Sequence, residues 1–437
     1  MRFLDAVERL PRVRLCVLLY ACAVLPRVLF VVAARPEFER FHWDVASTLL
    51  RTGSLGDETG KSTEYDPLYP ALLAGARWLF RSDALSVQLL QLAIDSAGAV
   101  GMFILVETLT ARRRAAVLAA ALYSAYPLLI RSSTIGDEFA LLSVLLIAFA
   151  WAVAANVTLP GAALAGILLG LAILTRSAVA PIAVLMAPTL MRTRGVMAAV
   201  VFSLAVTAGV APWVARNYAV NGSLWTTRGG ANLFSGNSRY TAALLPEHNL
   251  DLIGYYMLPL IARAHPELTA PGEQARLDRY SITLAWEEMR ERPVETLRLA
   301  LSKAAYFFWP RLVPTRVWTE DTRIEFLEDG QVRVEGSLPR PLMDEIAYSA
   351  SYTLVAAAAL VGLWLRRKDL SRDAPLICIV VAFVAVAAII RPDTHYRVPM
   401  EFVLLFYAAV ALDAGVTWWR ARGEDPPKGH VQGAFYR

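Results

Sequence analysis

The sequence predicts an all-α polytopic membrane protein with about ten transmembrane helices. Three observations carry this. The 437 residues are 56% hydrophobic and only 19% charged, against about 25% charged in an ordinary soluble domain. Apolar runs near the spanning length of roughly 20 residues recur along the whole chain. Basic clusters fall in alternate connections between those runs, as the positive-inside rule requires. Together they exclude a secreted globular enzyme, a disordered chain and a nucleic-acid binder with a basic groove. The net charge of +5 fits basic cytoplasmic edges rather than a polyanion partner. Cys16, Cys22 and Cys378 all lie inside apolar runs and read as small buried hydrophobes, not as a disulfide or metal framework.

The first run, Val13–Ala34, follows Arg2, Arg9, Arg12 and Arg14 and has no small-residue cleavage site after it. It reads as a retained helix with a cytoplasmic N-terminus, not a signal peptide. Further spans are expected at Ala84–Thr110, Ala115–Ile130, Phe139–Ala155, Gly161–Thr175, Ser177–Met191, Val196–Val214, Ile346–Leu365, Ala374–Ile390 and Val398–Trp419. The connections at Arg112–Arg114, Arg192/Arg194 and Arg366–Lys368, and the tail with Arg420, Arg422 and Lys428, then lie inside. Both termini are expected in the cytoplasm of a bacterial inner membrane.

Four regions follow: 1–214, a transmembrane module with two outer loops; 215–345, a long extracytoplasmic region; 346–419, the last spans; and 420–437, a tail. Arg35–Asp83 carries an amphipathic stretch and the apolar piece Pro67–Phe80, both expected as juxtamembrane helices. Arg298–Pro310 is expected to lie on the membrane with Tyr306 and Trp309 as anchors. The alternative is an eleventh span, which would put Lys303 near the bilayer centre.

Ionisable groups near lipid are expensive, so those at span ends are the site candidates. Asp44, in Phe41-His42-Trp43-Asp44, is either a helix N-cap or an outward carboxylate. Asp137 and Glu138 either cap the following span or hold a divalent cation through oxygen. Arg176, Arg216 and the group His395-Tyr396-Arg397 are expected on the outer side. Each alone could snorkel to lipid phosphate; several on one face suggest a phosphate pocket. No P-loop, GxSxG elbow or HExxH motif is present, which removes the usual support for ATPase, hydrolase and zinc-protease readings.

The order of these motifs resembles the GT-C superfamily of membrane glycosyltransferases, in particular protein O-mannosyltransferases and the lipid A aminoarabinose transferase. Asp44 to Gly53 resembles the acidic first-loop motif, and Tyr65-Asp66-Pro67-Leu68-Tyr69-Pro70 the "PPLYP" helix. Asp137-Glu138-Phe139 resembles the second-loop acid. Gly166 to Arg176 is similar to "GLLLGLAxLTRP", and Arg391 to Pro399 (RPDTHYRVP) to "RYRLP". With Trp213–Asn217 and Gly229–Asn237, the resemblance covers almost the whole chain. It departs where Val45 follows Asp44, where Asp66 stands for Pro or His, where Ser177 stands for the proline after Thr-Arg, and in the compact C-terminus.

The resemblance implies an inverting glycosyltransferase that moves a sugar from a polyprenyl-phosphate donor to a glycolipid, glycan or protein at the extracytoplasmic face. Asp44 is implied as general base, and Arg176, Arg216, His395 and Arg397 as donor-phosphate ligands. His42, Tyr65, Asp66, Asn232 and Asn237 are implied as acceptor or sugar ligands. Asp137 and Glu138 are the implied site for Mg²⁺ or Mn²⁺, the one cofactor considered. Membrane lipid and the lipid-linked sugar are the expected partners, with no nucleic acid. A lipid-linked-anion transporter or a non-catalytic lipid-phosphate-binding protein is the alternative. A transporter should show inverted repeats with midplane ligands, whereas here the ionisable groups collect at one rim.

Overall fold

The computed structural model describes residues 7, 9–36, 40–56, 62–81, 83–155, 157–269 and 273–423; the tail from Glu424 and the basic Arg2 lie outside them. The chain is an all-α integral membrane protein. Among the described residues five helices are long and apolar enough to cross a membrane, and three apolar helices are shorter.

The long ones are α1 (Arg12–Ala34), α4 (Asp83–Thr110), α10 (Val196–Asn221), α16 (Leu342–Leu365) and α19 (Glu401–Gly423). Helices α7 (Phe139–Ala155), α8 (Leu159–Thr175) and α17 (Ala374–Ile389) are the apolar short ones. Each sits on a predicted run because such a run buries its apolar surface only as a helix, with its backbone hydrogen bonds internal.

Proline breaks two of the predicted spans. Ala115–Ile130 is α5 (Arg113–Ala125) and α6 (Pro127–Ser132), with Tyr126 extended between them. Pro127 has no N–H to continue α5 and disfavours a helical residue before it. Ser177–Met191 opens as a 3₁₀ turn and becomes helical only from Pro181, as α9 (Pro181–Arg194). Two prolines thus place loops where the sequence alone suggested continuous spans.

The remaining elements are α2 (Arg40–Thr52) and α3 (Leu68–Phe80) before the second span, then a larger group after α10. That group holds α11 (Gly229–Asn237), α12 (Thr241–Leu244), α13 (Asp251–Ala264), α14 (Gln274–Glu291) and α15 (Pro293–Phe307). Two small antiparallel pairs follow, β1 (Arg316–Val317) with β4 (Leu338–Pro339) and β2 (Arg323–Phe326) with β3 (Val332–Glu335). A short α18 (Thr394–Arg397) precedes α19.

Helix α15 has 15 residues, about 22 Å at 1.5 Å per residue, too short for a bilayer core of roughly 30 Å. Its Lys303 is fully buried in protein, donating to the carbonyls of Gly236 (2.8 Å) and Ile389 (3.0 Å). Tyr306 and Trp309, expected as membrane anchors, pack instead on a cluster with Leu244, Leu250 and Val313. Of the cysteines Cys378 is buried, whereas Cys22 is exposed on α1.

Close helix packing rests on glycine. A Cβ at Gly166 would lie 2.5 Å from the Phe202 carbonyl oxygen, so α8 and α10 touch backbone to backbone. One at Gly362 would overlap the Tyr407 carbonyl, where α16 meets α19. Small residues at such crossings are how helices associate where lipid offers no hydrophobic drive.

Inside the bundle Arg27 of α1 meets Asp95 of α4, Nε to Oδ2 at 2.5 Å, with 0% and 1% of the side chains exposed. Tyr123 donates to the other carboxylate oxygen, and Arg27 also reaches the Ala23 carbonyl. Asp95→Ala strands a buried guanidinium and should cost about 3–5 kcal/mol, whereas Arg27→Met with Asp95→Leu should restore most of it. Thermal unfolding in detergent checks both; equal losses for the two variants would contradict it.

Candidate active site

The ends of α7, α8 and α17 and the short helices α6 and α18 converge around a cavity of about 760 Å³ that residues from α2, α11 and the connecting loops complete. Its chemistry is dense. Carboxylates from Glu64, Asp66, Asp137, Glu138 and Asp251 line it, with guanidiniums from Arg131, Arg176, Arg228, Arg340 and Arg391 and the imidazoles of His42 and His395.

Glu138 and Arg176 tie the site together. Arg176 terminates α8 and donates from Nη1 to Glu138 Oε1, while His42 Nε2 lies 2.7 Å from the other carboxylate oxygen. The Arg176 guanidinium also covers the Tyr396 ring at 4.4 Å and the Phe139 ring at 5.0 Å. Burial alone would raise the Glu138 carboxyl, but Arg176 and His42 outweigh it and hold the group below the usual carboxylate range.

Asp66, just before α3, is different. Its Oδ2 accepts from the Ser177 backbone N–H at 2.9 Å and the Ser177 hydroxyl at 3.2 Å. Among the described residues no cation pairs with it within 4 Å. Burial dominates and pushes its carboxyl up to about 6, against the opposing effects of Ser177 and Arg176.

Several sequence-derived candidates line this cavity: His42, Tyr65, Asp66, Asp137, Glu138, Arg176, Asn232 and His395. Others do not. Asp44 lies on the exposed face of α2 and is not part of the lining. His42 faces the cavity, and two residues on in a helix is about 200° around the axis. Arg397 is buried behind the site, donating to Glu401 at 2.5 Å and to the Phe307 carbonyl at 2.8 Å, with the Tyr352 ring 3.8 Å away. Arg216 turns toward the Ser62 carbonyl (2.8 Å) and the Trp213 ring (4.8 Å). Asn237 is buried, donating to the Leu233 and Ile389 carbonyls at 2.8 Å each.

Asp137 and Glu138 also part company as metal ligands. Asp137 Oδ1 accepts from the Phe139 N–H at 3.1 Å, capping α7, and its carboxylate accepts from the Ser132 hydroxyl. Glu138 has both oxygens engaged, by Arg176 and His42. The pair does not fit a divalent cation, and among the described residues no cluster of three or more His, Cys, Asp or Glu could hold one.

The sequence reading did not single out Arg131, Arg228, Arg340 and Arg391. Arg391 opens the quoted RPDTHYRVP stretch, so its signal was present; it pairs with Asp251 at 2.8 Å. Arg131 lies in the six-residue α6, and Arg228 and Arg340 come from a turn and a strand end, all too short or irregular for periodicity to mark a facing side.

No protein-family model and no curated protein matches the chain by sequence. Solved structures do match. The oligosaccharyltransferase of Archaeoglobus fulgidus, tethered with an acceptor peptide containing the NVT sequon, superposes over 93% of this chain and 50% of its own, with TM-score 0.52 and 13% identity. The same enzyme in complex with Zn and sulfate gives 0.50 and 14%, over 92% of this chain and 50% of its own. ArnT from Cupriavidus metallidurans bound to undecaprenyl phosphate covers 94% and 81%, at TM-score 0.41 and 14% identity. The chain therefore spans about half the length of the oligosaccharyltransferase and shares with it the GT-C fold.

The raised Asp66 carboxyl has a consequence for stability. Its folded form holds the proton more tightly than the unfolded chain, so its contribution is fully present below about 4 and is lost as pH rises through about 6. Asp66→Asn should flatten that part of the stability profile. Unfolding followed from pH 4 to 7 checks it; an unchanged slope would place the titration elsewhere.

Proposed function

We propose that the protein is an inverting glycosyltransferase that takes a sugar from a polyprenyl-phosphate donor and passes it to an acceptor hydroxyl at the extracytoplasmic membrane face. The observation that carries this is the junction of two environments. The polar cavity shares Arg176, Ala178, Asn232, Ile390, Arg391 and Tyr396 with a smaller, largely apolar pocket lined by Phe307, Phe383, Val386 and Ala387. A lipid phosphate needs that combination: a path for the tail along α15 and α17, and guanidiniums where it meets the polar cavity. The oligosaccharyltransferase fold supports the reading at the level of architecture.

In this reading Asp66, rather than Asp44, is the general base. It lines the cavity, and a carboxyl titrating at about 6 is nearly matched to proton transfer at neutral pH. Its free basic form takes the acceptor hydroxyl proton as that oxygen attacks the anomeric carbon. The bond from that carbon to the phosphate oxygen breaks with its electron pair, and configuration inverts. Arg176 and Arg391 stabilise the departing phosphate, so no acid is needed at the leaving group. Glu138 fixes Arg176 and leaves part of its fork for the phosphate. His42, Tyr65, Asn232 and His395 are the sugar-facing and acceptor-facing polar groups. No step runs through a metal, since the donor set does not fit one.

Asp66→Asn should lower transfer from a polyprenyl-phosphate sugar by roughly 10² or more, while Asp44→Asn should change it less than about threefold. Wild-type activity should rise between pH 5 and 7 as Asp66 ionises. Steady-state transfer assays on both variants decide; a large loss in Asp44→Asn alone would return the base to α2. Transfer after exhaustive chelation should be unchanged, and recovery on adding Mn²⁺ would overturn the metal-free assignment.

A further inference from the structure

Among the described residues three cavity arginines, Arg131, Arg228 and Arg340, have no carboxylate within ion-pair distance. Arg176 is held by Glu138, and Arg391 by Asp251 at 2.8 Å with Asp393 at 3.9 Å. Arg228 is exposed and stacks on the Phe41 ring at 4.7 Å. Arg131, at the end of α6, and Arg340, just after β4, are half-buried on the cavity wall. Neither has a carboxylate within ion-pair distance among the described residues. Of the nearby acids, Glu345 is engaged by Arg311 at 2.8 Å and Asp393 lies 3.9 Å from Arg391, while Asp344 acts on Arg340 only from beyond ion-pair distance.

Both guanidiniums are held in place by neutral groups. Arg340 Nε donates to the Pro314 carbonyl at 2.6 Å, and Arg131 sits over the Tyr348 ring at 5.8 Å. Burial lowers the Arg340 guanidinium and the neighbouring Arg131 charge lowers it further, against the opposing charges of Glu345, Asp344 and Asp393. Two like charges side by side in a partly enclosed site are unfavourable until an anion sits between them. Planar forks on two separate elements match the oxygens of a phosphate-class group. The cavity volume of about 760 Å³ leaves room for two polar headgroups in one site, within the roughly 300–1,000 Å³ of ordinary ligand pockets.

We propose that Arg131 and Arg340 form a second anion subsite of this cavity, distinct from that at Arg176 and Arg391, which takes a phosphate-class group carried by the acceptor. The acceptor is then an acidic lipid or glycan rather than a neutral hydroxyl compound. This rests on the glycosyl-transfer reading above. The same chemistry could come from the second phosphate of a diphosphate donor, which the test separates.

The experiment is equilibrium binding of radiolabelled glycerol phosphate to the full chain in detergent at low salt, alone and with saturating polyprenyl phosphate. Binding should persist with the lipid present. Arg131→Gln with Arg340→Gln should weaken it roughly tenfold or more, the loss of at least one charge-assisted hydrogen bond, with lipid binding changed less than about twofold. Arg131→Lys keeps the charge and loses the fork, so it should weaken binding several-fold at an unchanged thermal midpoint. Unchanged binding in the double variant, or displacement by polyprenyl phosphate, overturns the second subsite. Displacement by polyprenyl diphosphate but not by the monophosphate assigns both arginines to the donor and overturns the acceptor role. If polyprenyl phosphate fails to bind while glycerol phosphate still depends on Arg131 and Arg340, the transferase reading falls and the anion subsite stands.

Discussion

The contact between Glu138 and Arg176 determines how the cavity is built. It joins the start of α7 to the end of α8, and through His42 it reaches α2, which the sequence places almost a hundred residues earlier. Near lipid an isolated carboxylate or guanidinium is costly, so each holds the other in its charged form. The same contact orients the Arg176 plane against Tyr396 and Phe139. Four separate stretches of chain are thereby fixed around one space. Removing either partner would loosen the wall rather than a single side chain.

The rule extends through the bundle. Arg27 and Asp95 are paired in its interior. At the basic end Arg114 meets Asp413 at 2.5 Å and Arg366 meets Asp373 at 2.6 Å. Lys303 is surrounded by backbone carbonyls instead of carboxylates. In each case a charge sits where lipid or protein would exclude water, and a specific partner stands next to it. Against the ion pairs named here, Arg131 and Arg340 stand out as two neighbouring guanidiniums with no carboxylate within ion-pair distance among the described residues, which is why they carry a ligand argument.

The spans were legible because their signal is one-dimensional. Apolar runs such as Phe139–Ala155 fold as helices whatever packs on them, and the structure places that helix on the same residues. Breaks at Pro127 and Pro181 needed only local stereochemistry and could have been read from sequence. The site was less legible because it depends on helix phase. His42 and Asp44 are two residues apart and occupy opposite faces of α2. Arg391 and Arg397 are equally basic, yet the short α18 between them turns the first to the cavity and the second inward to Glu401. The wall formed by Arg131 and Arg340 joins residues more than two hundred positions apart, a juxtaposition that no periodicity encodes.

Two of the positions where the motifs depart from the family pattern touch. Asp66 stands where a proline or histidine is usual, and Ser177 where a proline follows Thr-Arg. Ser177 donates both its backbone N–H and its hydroxyl to Asp66. Proline at 177 would have neither donor, and proline or histidine at 66 would offer no carboxylate to receive them. Each departure thus makes sense only with the other: the carboxylate supplies acceptors for a helix-end N–H that would otherwise be orphaned, and the N–H keeps the carboxylate from titrating still higher. Burial and these two hydrogen bonds act in opposite directions, and their balance near 6 is what equips Asp66 to exchange a proton at neutral pH.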